Sequence, residues 1–204
     1  MGLYERYFLP KLIDLAMRQK PIMRQRRKVV PLAYGRVLEI GIGSGRNLEF
    51  YDRSRVEHLW GLEPSPEMRK LAAARARELG IDVEFLDLPG EHIPLADGSV
   101  DTVLTTYTLC TIPDVARALR EMRRVLAPGG VLLFSEHGRA PDPGVVRWQN
   151  RLNGMWSAIA GGCNLNRAID SLLRDAGFAI EVETMYLPGP RLFTFNYWGR
   201  AKPA

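Results

Sequence analysis

The sequence predicts an α/β fold built on a parallel sheet with right-handed crossovers, and three observations carry that expectation. From Arg36 to Ser135 short apolar runs alternate with helical lengths of roughly 10–15 residues, the pattern of βαβ units. The first of these runs ends in a glycine-rich turn, Val37-Leu-Glu39-Ile-Gly41-Ile-Gly43-Ser-Gly45-Arg-Asn47. The 204 residues suffice for one well-filled domain, α/β units running somewhat beyond the usual 100–150 or so. In such sheets ligands bind at the carboxyl ends of the strands.

Taken in order, Leu3, Tyr7, Phe8, Leu12, Leu15 and Ala16 fall at near-helical spacing over 3–17, which predicts a helical segment kinked at Pro10. Pro21 breaks it, and a second, basic helix is expected from Met23 to Val30, ended by Pro31. The first strand is Arg36 to Ile40. The glycines after it are needed because only a backbone without Cβ turns so sharply and still lets a ligand lie against it. Glu39-x-Gly41-x-Gly43-x-Gly45 departs from the dinucleotide pattern G-x-G-x-x-G, whose pyrophosphate would not want a carboxylate beside it. A cationic ligand tolerates that carboxylate.

Asn47 to Tyr51 is expected to continue the first crossover helix, and His58 to Leu62 to form the second strand, ending in Glu63-Pro64. Pro66 to Leu79 reads as a helix with Met68, Leu71, Ala72, Arg75 and Leu79 on one stripe and Gly80 as its stop. Val83 to Leu86 is the third strand. Asp97-Gly98-Ser99 turns into the fourth, Asp101 to Thr105, which exits into Thr106-Tyr107-Thr108-Leu109-Cys110. A helix from Val115 to Leu126, striped by Ala116, Leu119, Met122 and Leu126, leads to the double glycine of Ala127-Pro-Gly-Gly130, a tight turn into the fifth strand. That strand exits at Glu136-His137. A helix follows over Val146 to Ile159, carrying Trp148 and Trp156, and another runs to Ala176, capped at Asn166 or a neighbour. Phe178 to Tyr186 and Arg191 to Trp198 are the last two strands.

These residues resemble the class I S-adenosylmethionine-dependent methyltransferases, with Glu39 to Asn47 similar to the motif that cradles the aminoacyl end of the cofactor and Glu63 standing where an acid accepts from both ribose hydroxyls. The likeness runs over 37–136 and implies a Rossmann-like, doubly wound sheet of seven strands, mostly parallel, with the last two as a reversed hairpin. It implies one domain over 1–204, with 1–35 as a helical lid, 36–136 as the cofactor-binding core and 137–204 as the substrate side. Cofactor contacts are then expected from Glu39, Gly41, Gly43, Gly45, Asn47, Glu63, Pro64, Gly90, Glu91, Thr106 and Leu109. Asp87-Leu-Pro89-Gly90-Glu91-His92-Ile-Pro94-Leu95 is similar to a family segment but has Pro89 in place of the acid that holds the adenine amino group. Either Asp87 reaches in, or the adenine rests on the backbone near Gly90 and on apolar stacking. Tyr4 and Tyr7 face the site or serve as core aromatics.

Beyond residue 136 the Glu-His exit, the tryptophan helix and Gly161-Gly-Cys163-Asn164 resemble, more loosely, the phospholipid N-methyltransferases and membrane-associated thiol methyltransferases. Tyr107, Leu109, Trp148 and Trp156 imply an apolar acceptor pocket, with Tyr7 in the lid and His137 at its polar end. Methyl transfer from a sulfonium loses charge, so the protein chiefly aligns and desolvates the nucleophile. For an acceptor with a proton to lose, His137 is the candidate base and Tyr107 lies beside the reacting centre; alternatively His137 bonds only to the Cys163-Asn164 turn. His58, at the other edge, is structural. The Asn/Asp-Pro-Pro-Tyr/Phe motif of nucleobase methylation is missing, which argues against a nucleic acid acceptor. A nicotinamide oxidoreductase, an RNA modifier and a binder without catalysis are the rival classes, the first disfavoured by the glycine spacing.

Charge is unevenly placed. Residues 1–36 carry nine Lys/Arg against Glu5 and Asp14, while the whole chain is +5. The cluster Arg18 to Lys28 is a solvated helix face or a contact for an anionic lipid surface or acidic substrate. Cys110 and Cys163 are too few and too far apart to suggest a disulfide framework or a zinc site, Cys163 reading as a small apolar residue, so no metal is implied. With neither a signal-peptide pattern nor a spanning apolar run, the expected place is cytoplasmic, peripheral at the membrane if the basic segment engages it, acting on a small-molecule or lipid acceptor. Nothing in the sequence addresses the oligomeric state.

Overall fold

A computed structural model of the chain describes residues 8–204. Tyr4 and Tyr7 lie outside the described residues. Seven strands form one sheet in the order β3-β2-β1-β4-β5-β7-β6, with β1 Gly35–Ile40, β2 Val56–Leu62, β3 Glu84–Leu86, β4 Val100–Thr106, β5 Leu126–His137, β6 Phe178–Tyr186 and β7 Phe195–Pro203. Pairings among β1 to β5 are parallel, and β7 runs antiparallel to both β5 and β6. The seven-stranded, mostly parallel sheet with a reversed hairpin is the fold expected.

Alternation along the strands fills two apolar layers. Leu38 and Ile40, Val103, Leu132 and Phe134 point to one, where Leu119 and Met122 of α4 (Val115–Val125) and Ile169 and Leu173 of α6 (Ile169–Asp175) cover them. Val37, Leu104, Val131 and Leu133 point to the other, beneath Val29 of α2 (Lys20–Val29) and Ala76 of α3 (Pro66–Leu79). Crossovers thus change face between β1 and β4, which leaves a crevice at the carboxyl ends of those two strands.

Local chemistry sets the boundaries. Ser65 caps α3 by accepting from Met68 N at 3.3 Å, and Gly80 ends it at φ 62°. Its buried stripe is Met68, Ala72 and Ala76, while Leu71 is exposed. Asp114 caps α4, whose buried face is Val115, Ala118, Leu119, Met122 and Val125; Ala116 lies on the exposed side. Pro10 and Pro21 stand in the first turns of α1 (Leu9–Met17) and α2, where a proline lacks no helical hydrogen bond.

Several expected elements differ. No helix continues from Asn47; Leu48–Phe50 is one 3₁₀ turn, because Tyr51 is pulled back to Glu39 and β2 begins at Val56. The turn at Pro128-Gly129-Gly130 is a bulge within β5, where Val100 pairs with Leu126 and Thr102 with Val131. The helix after β5 is longer than expected, α5 Pro143–Ile159. Asn166 does not cap α6, since its side chain donates to Asn150. Arg191–Thr194 is a short helix, α7, set by the turn at Pro190, so the last strand begins at Phe195.

Candidate active site

At the carboxyl end of β1 the turn 41–47 closes around a buried polar network. Glu39 is wholly enclosed, accepting from Asn47 Nδ2 at 2.8 Å and from Tyr51 Oη at 2.7 Å. Burial lifts its carboxyl to about 7, against the opposing pull of those two bonds. Both oxygens therefore serve the turn, so Glu39 holds the cradle in place and does not face a ligand as expected. Asn47 and Thr106 are likewise drawn inward, Asn47 Nδ2 donating to Thr106 Oγ1 at 2.9 Å.

The cation at the centre of this network is Arg26, which sequence reasoning left within a surface charge cluster. Its Nη1 donates to Asn47 Oδ1 at 2.7 Å and to Thr106 Oγ1 at 2.5 Å, and only 5% of the residue is exposed. Nε has no partner, and no carboxylate pairs with Arg26 among the described residues. Burial lowers its pKa, against the opposing pull of the Tyr107 hydroxyl oxygen and of the Glu39 and Glu136 carboxyls. A buried guanidinium short of one acceptor calls for an anion beside it. The spacing of Arg26 from Val29, both facing inward on α2, was the one signal available.

Gly43 is where the turn opens. At φ 57° a Cβ there would meet only Met68 Cε at 3.6 Å and Gly41 O at 3.8 Å, so the space beside it is free. Gly41, at φ 68°, has a different reason to be glycine: a Cβ would strike Thr108 at 2.5 Å. Gly45 faces Leu48 and Ala72, away from the opening. Across the opening Glu63, at the end of β2, accepts from Gly43 N at 3.1 Å and from Ser65 N at 2.9 Å, and burial raises its carboxyl despite both bonds. Glu63 and Gly43 are thus brought together as expected.

The third-strand loop contributes less than expected. Asp87 is bound by Arg69, which also donates to Glu63 O at 2.6 Å, so Asp87 does not reach into the site. Gly90 is buried, with the place of its missing Cβ within 3.3 Å of Ile112 and Ile40, and Glu91 accepts from Asp114 N at 3.2 Å. Pro64 is exposed at the head of α3.

After β4 the chain turns through Tyr107, the only non-glycine at positive φ (56°) among the described residues, a strained conformation of the kind kept at functional sites. Its Oη donates to Asn196 Oδ1 at 2.6 Å and burial raises its pKa, so it is a neutral wall and no base. Leu109 is fully buried in the core and so lines no pocket; its amide and that of Thr108 are held by Glu136, at 3.2 and 2.9 Å. Burial drives the Glu136 carboxyl up to about 7, those amides lowering it. Glu136 is a second residue missed, having been read only as the strand exit.

At the far side His137, the last residue of β5, has Nε2 at 2.9 Å from Cys163 Sγ, so its imidazole is already engaged. Trp156 Nε1 donates to the same sulfur at 3.4 Å, and its ring lies 4.6 Å from that of Phe193. Cys110 Sγ joins them: it, Cys163 Sγ and an imidazole nitrogen lie within 4.8 Å of one another. The cysteines judged too far apart in sequence are neighbours because Asn164, next to Cys163, donates to Cys110 O through both its backbone N and its Nδ2. Cys163 is half-buried, and its thiol is driven down by the Cys110 thiol and by His137 and Trp156, against burial, so it is no inert apolar residue. Trp148 is 57% exposed, its ring under Arg151, so it does not line the acceptor side. A cleft lined by Asp97, Arg123, Gly129 and Lys202 opens at the opposite, amino edge of the sheet and holds none of these residues.

The family described as "Methyltransferase domain" matches residues 38–134. A thiol S-methyltransferase of Homo sapiens, TMT1B, is 37% identical over 158 residues, covering 76% of this chain and 64% of its own length. A phosphatidylethanolamine N-methyltransferase of Cereibacter sphaeroides is 28% identical over 170 residues, 79% of this chain and 78% of that one. A solved structure from Thermotoga maritima, titled an S-adenosylmethionine-dependent methyltransferase and possible histamine N-methyltransferase, shares the fold at TM-score 0.66 and 24% identity, over 98% of this chain and 99% of its own. The chain spans somewhat under two thirds of the human thiol methyltransferase it matches.

Proposed function

Because this chain belongs to the S-adenosylmethionine-dependent methyltransferases, we propose that it moves the cofactor's methyl group to a small lipophilic acceptor, a thiol before any other. The observation that carries the reading is Gly43, whose missing Cβ faces open space and whose amide is held by Glu63 at the end of β2, together with the unpaired Nε of the buried Arg26, which is bonded to Asn47 of the same turn. S-adenosylmethionine matches its chemistry: Glu63 suits the ribose hydroxyls, the open face of Gly43 suits close approach, and Arg26 suits the carboxylate of the aminoacyl end. When bound, the cofactor supplies a methyl group on a positively charged sulfur. The chain's own residues hold it, exclude water and align the acceptor, with Glu39 and Asn47 keeping the turn rigid.

The choice of a thiol rests on the likeness to an enzyme named for thiol S-methylation and on the character of the far side, where Trp156 and Phe193 meet Cys110 and Cys163. Apolar and polarisable groups suit a soft, hydrophobic nucleophile. Thiols also ionise near neutrality and need less help than an alcohol.

A lipid amine is the second reading, favoured by the outer surface. Phe8, just ahead of α1, and Leu12 and Leu15 on it lie one above another and are 52–63% exposed, flanked by exposed Lys11, Arg18 and Lys20. No described helix is long and apolar enough to cross a membrane. Such a face suits lying on an anionic bilayer, and we place the reaction at that surface. The test is a panel of acceptors read by release of S-adenosylhomocysteine: alkyl and aryl thiols, phosphatidylethanolamine in vesicles, and catechols. Turnover highest with a thiol is expected; turnover confined to the lipid amine moves the function to the second reading, and turnover with catechols alone overturns both.

A further inference from the structure

Three segments bring Cys110, His137 and Cys163 together: the loop after β4, the last residue of β5 and the turn after α5. We propose that they are a three-ligand site for a soft divalent cation of the zinc kind, with a fourth position left for water or an incoming thiolate. Two thiolates and a neutral imidazole select such a cation and balance its charge. Zinc with bonds of about 2.3 Å to sulfur and 2.0–2.1 Å to nitrogen sets tetrahedral ligand atoms roughly 3.5–3.8 Å apart. Atoms already within 4.8 Å of one another reach that by side-chain rotation, the 2.9 Å separation of His137 and Cys163 opening by less than about 1 Å.

Outer groups hold the ligands as such sites require. Trp156 Nε1 donates to Cys163 Sγ at 3.4 Å. Asn164 donates to Cys110 O through its backbone N at 2.9 Å and through Nδ2 at 3.0 Å, so the two cysteine segments are tied to each other. Arg167 donates to Leu109 O and so holds the backbone next to Cys110 in place. The inference stands independently of the methyl-transfer reading, since cation binding is measured without cofactor or acceptor.

The full chain, fully reduced, is titrated with zinc against a chromogenic chelator and with cadmium while the sulfur-to-cadmium charge-transfer absorption is followed. One equivalent bound, with the absorption of two thiolates and with both cysteines shielded from maleimide by zinc, is the expected result. Cys163→Ser and Cys110→Ser should each halve the absorption at saturation, and His137→Gln should weaken binding about 10-fold or more while keeping the two-thiolate absorption. No saturable binding to the wild-type chain overturns the proposal, and so does full binding retained by Cys163→Ser. Maleimide reaction at both cysteines unaffected by zinc also overturns it, and needs no variant.

Discussion

Arg26 Nη1 donates to Asn47 Oδ1 at 2.7 Å, so the second N-terminal helix reaches through to the turn that follows the first strand. A basic segment that reads as surface charge thereby supplies a buried cation at the crevice. Its placement predicts that Arg26→Met weakens binding of S-adenosylhomocysteine by roughly 10–100-fold, about 1.4–2.8 kcal/mol, and leaves methylthioadenosine, which lacks the carboxylate, unaffected. Calorimetry with the two ligands checks it. Equal losses for both would assign Arg26 to the fold alone.

Glu63→Ala is expected to weaken cofactor binding by roughly 1–3 kcal/mol through the loss of charge-assisted bonds to the ribose. Gly43 N loses its partner in the same change, so thermal melting of the variant must be compared with wild type. Unchanged affinity would move the ribose away from the end of β2.

Glu39 sets a pH dependence of stability. Its folded pKa, about 7, stands above the ordinary 4.5, so the folded chain keeps a proton that the unfolded chain releases. Stability from this group is then greatest below about 4.5 and falls as the pH rises through about 7, by on the order of 3 kcal/mol at most. Urea unfolding at about pH 5 and pH 8 should show a smaller loss in Glu39→Gln than in wild type. The same slope in both proteins would mean that burial does not hold this carboxyl protonated.

Trp156→Ala should raise the acceptor KM several-fold and leave S-adenosylhomocysteine affinity nearly unchanged, because the ring touches Phe193 and Cys163 and no group of the turn. Trp148→Ala, on the exposed face of α5, should change neither. Steady-state kinetics with the best acceptor decide it; a fall in cofactor affinity with Trp156→Ala would place the ring on the cofactor side.

The core strands and α3 were legible because each signal was local: Ser65 and Gly80 mark both ends of that helix, and Glu63 falls at the end of a strand beside the glycine turn. Asn47 to Tyr51 misled because a polar segment after glycines reads as a helix start, whereas the hydroxyl of Tyr51 is claimed by Glu39. Leu109 and Gly90 sit at positions that a linear motif places beside the ligand, yet packing against Ile40 and Ile112 turns them into the core. Glu136 and the cysteine pair were not legible, and Arg26 only through its spacing from Val29, since their roles depend on contacts between segments distant in sequence.

The most direct measurement is a calorimetric titration of the full chain with S-adenosylhomocysteine and, in parallel, with NAD. One site that binds S-adenosylhomocysteine, with no heat from NAD, is the predicted result. Binding of NAD at one equivalent with none of S-adenosylhomocysteine would contradict the account, because the turn at Gly43 and the Glu63 beside it would then serve a different cofactor.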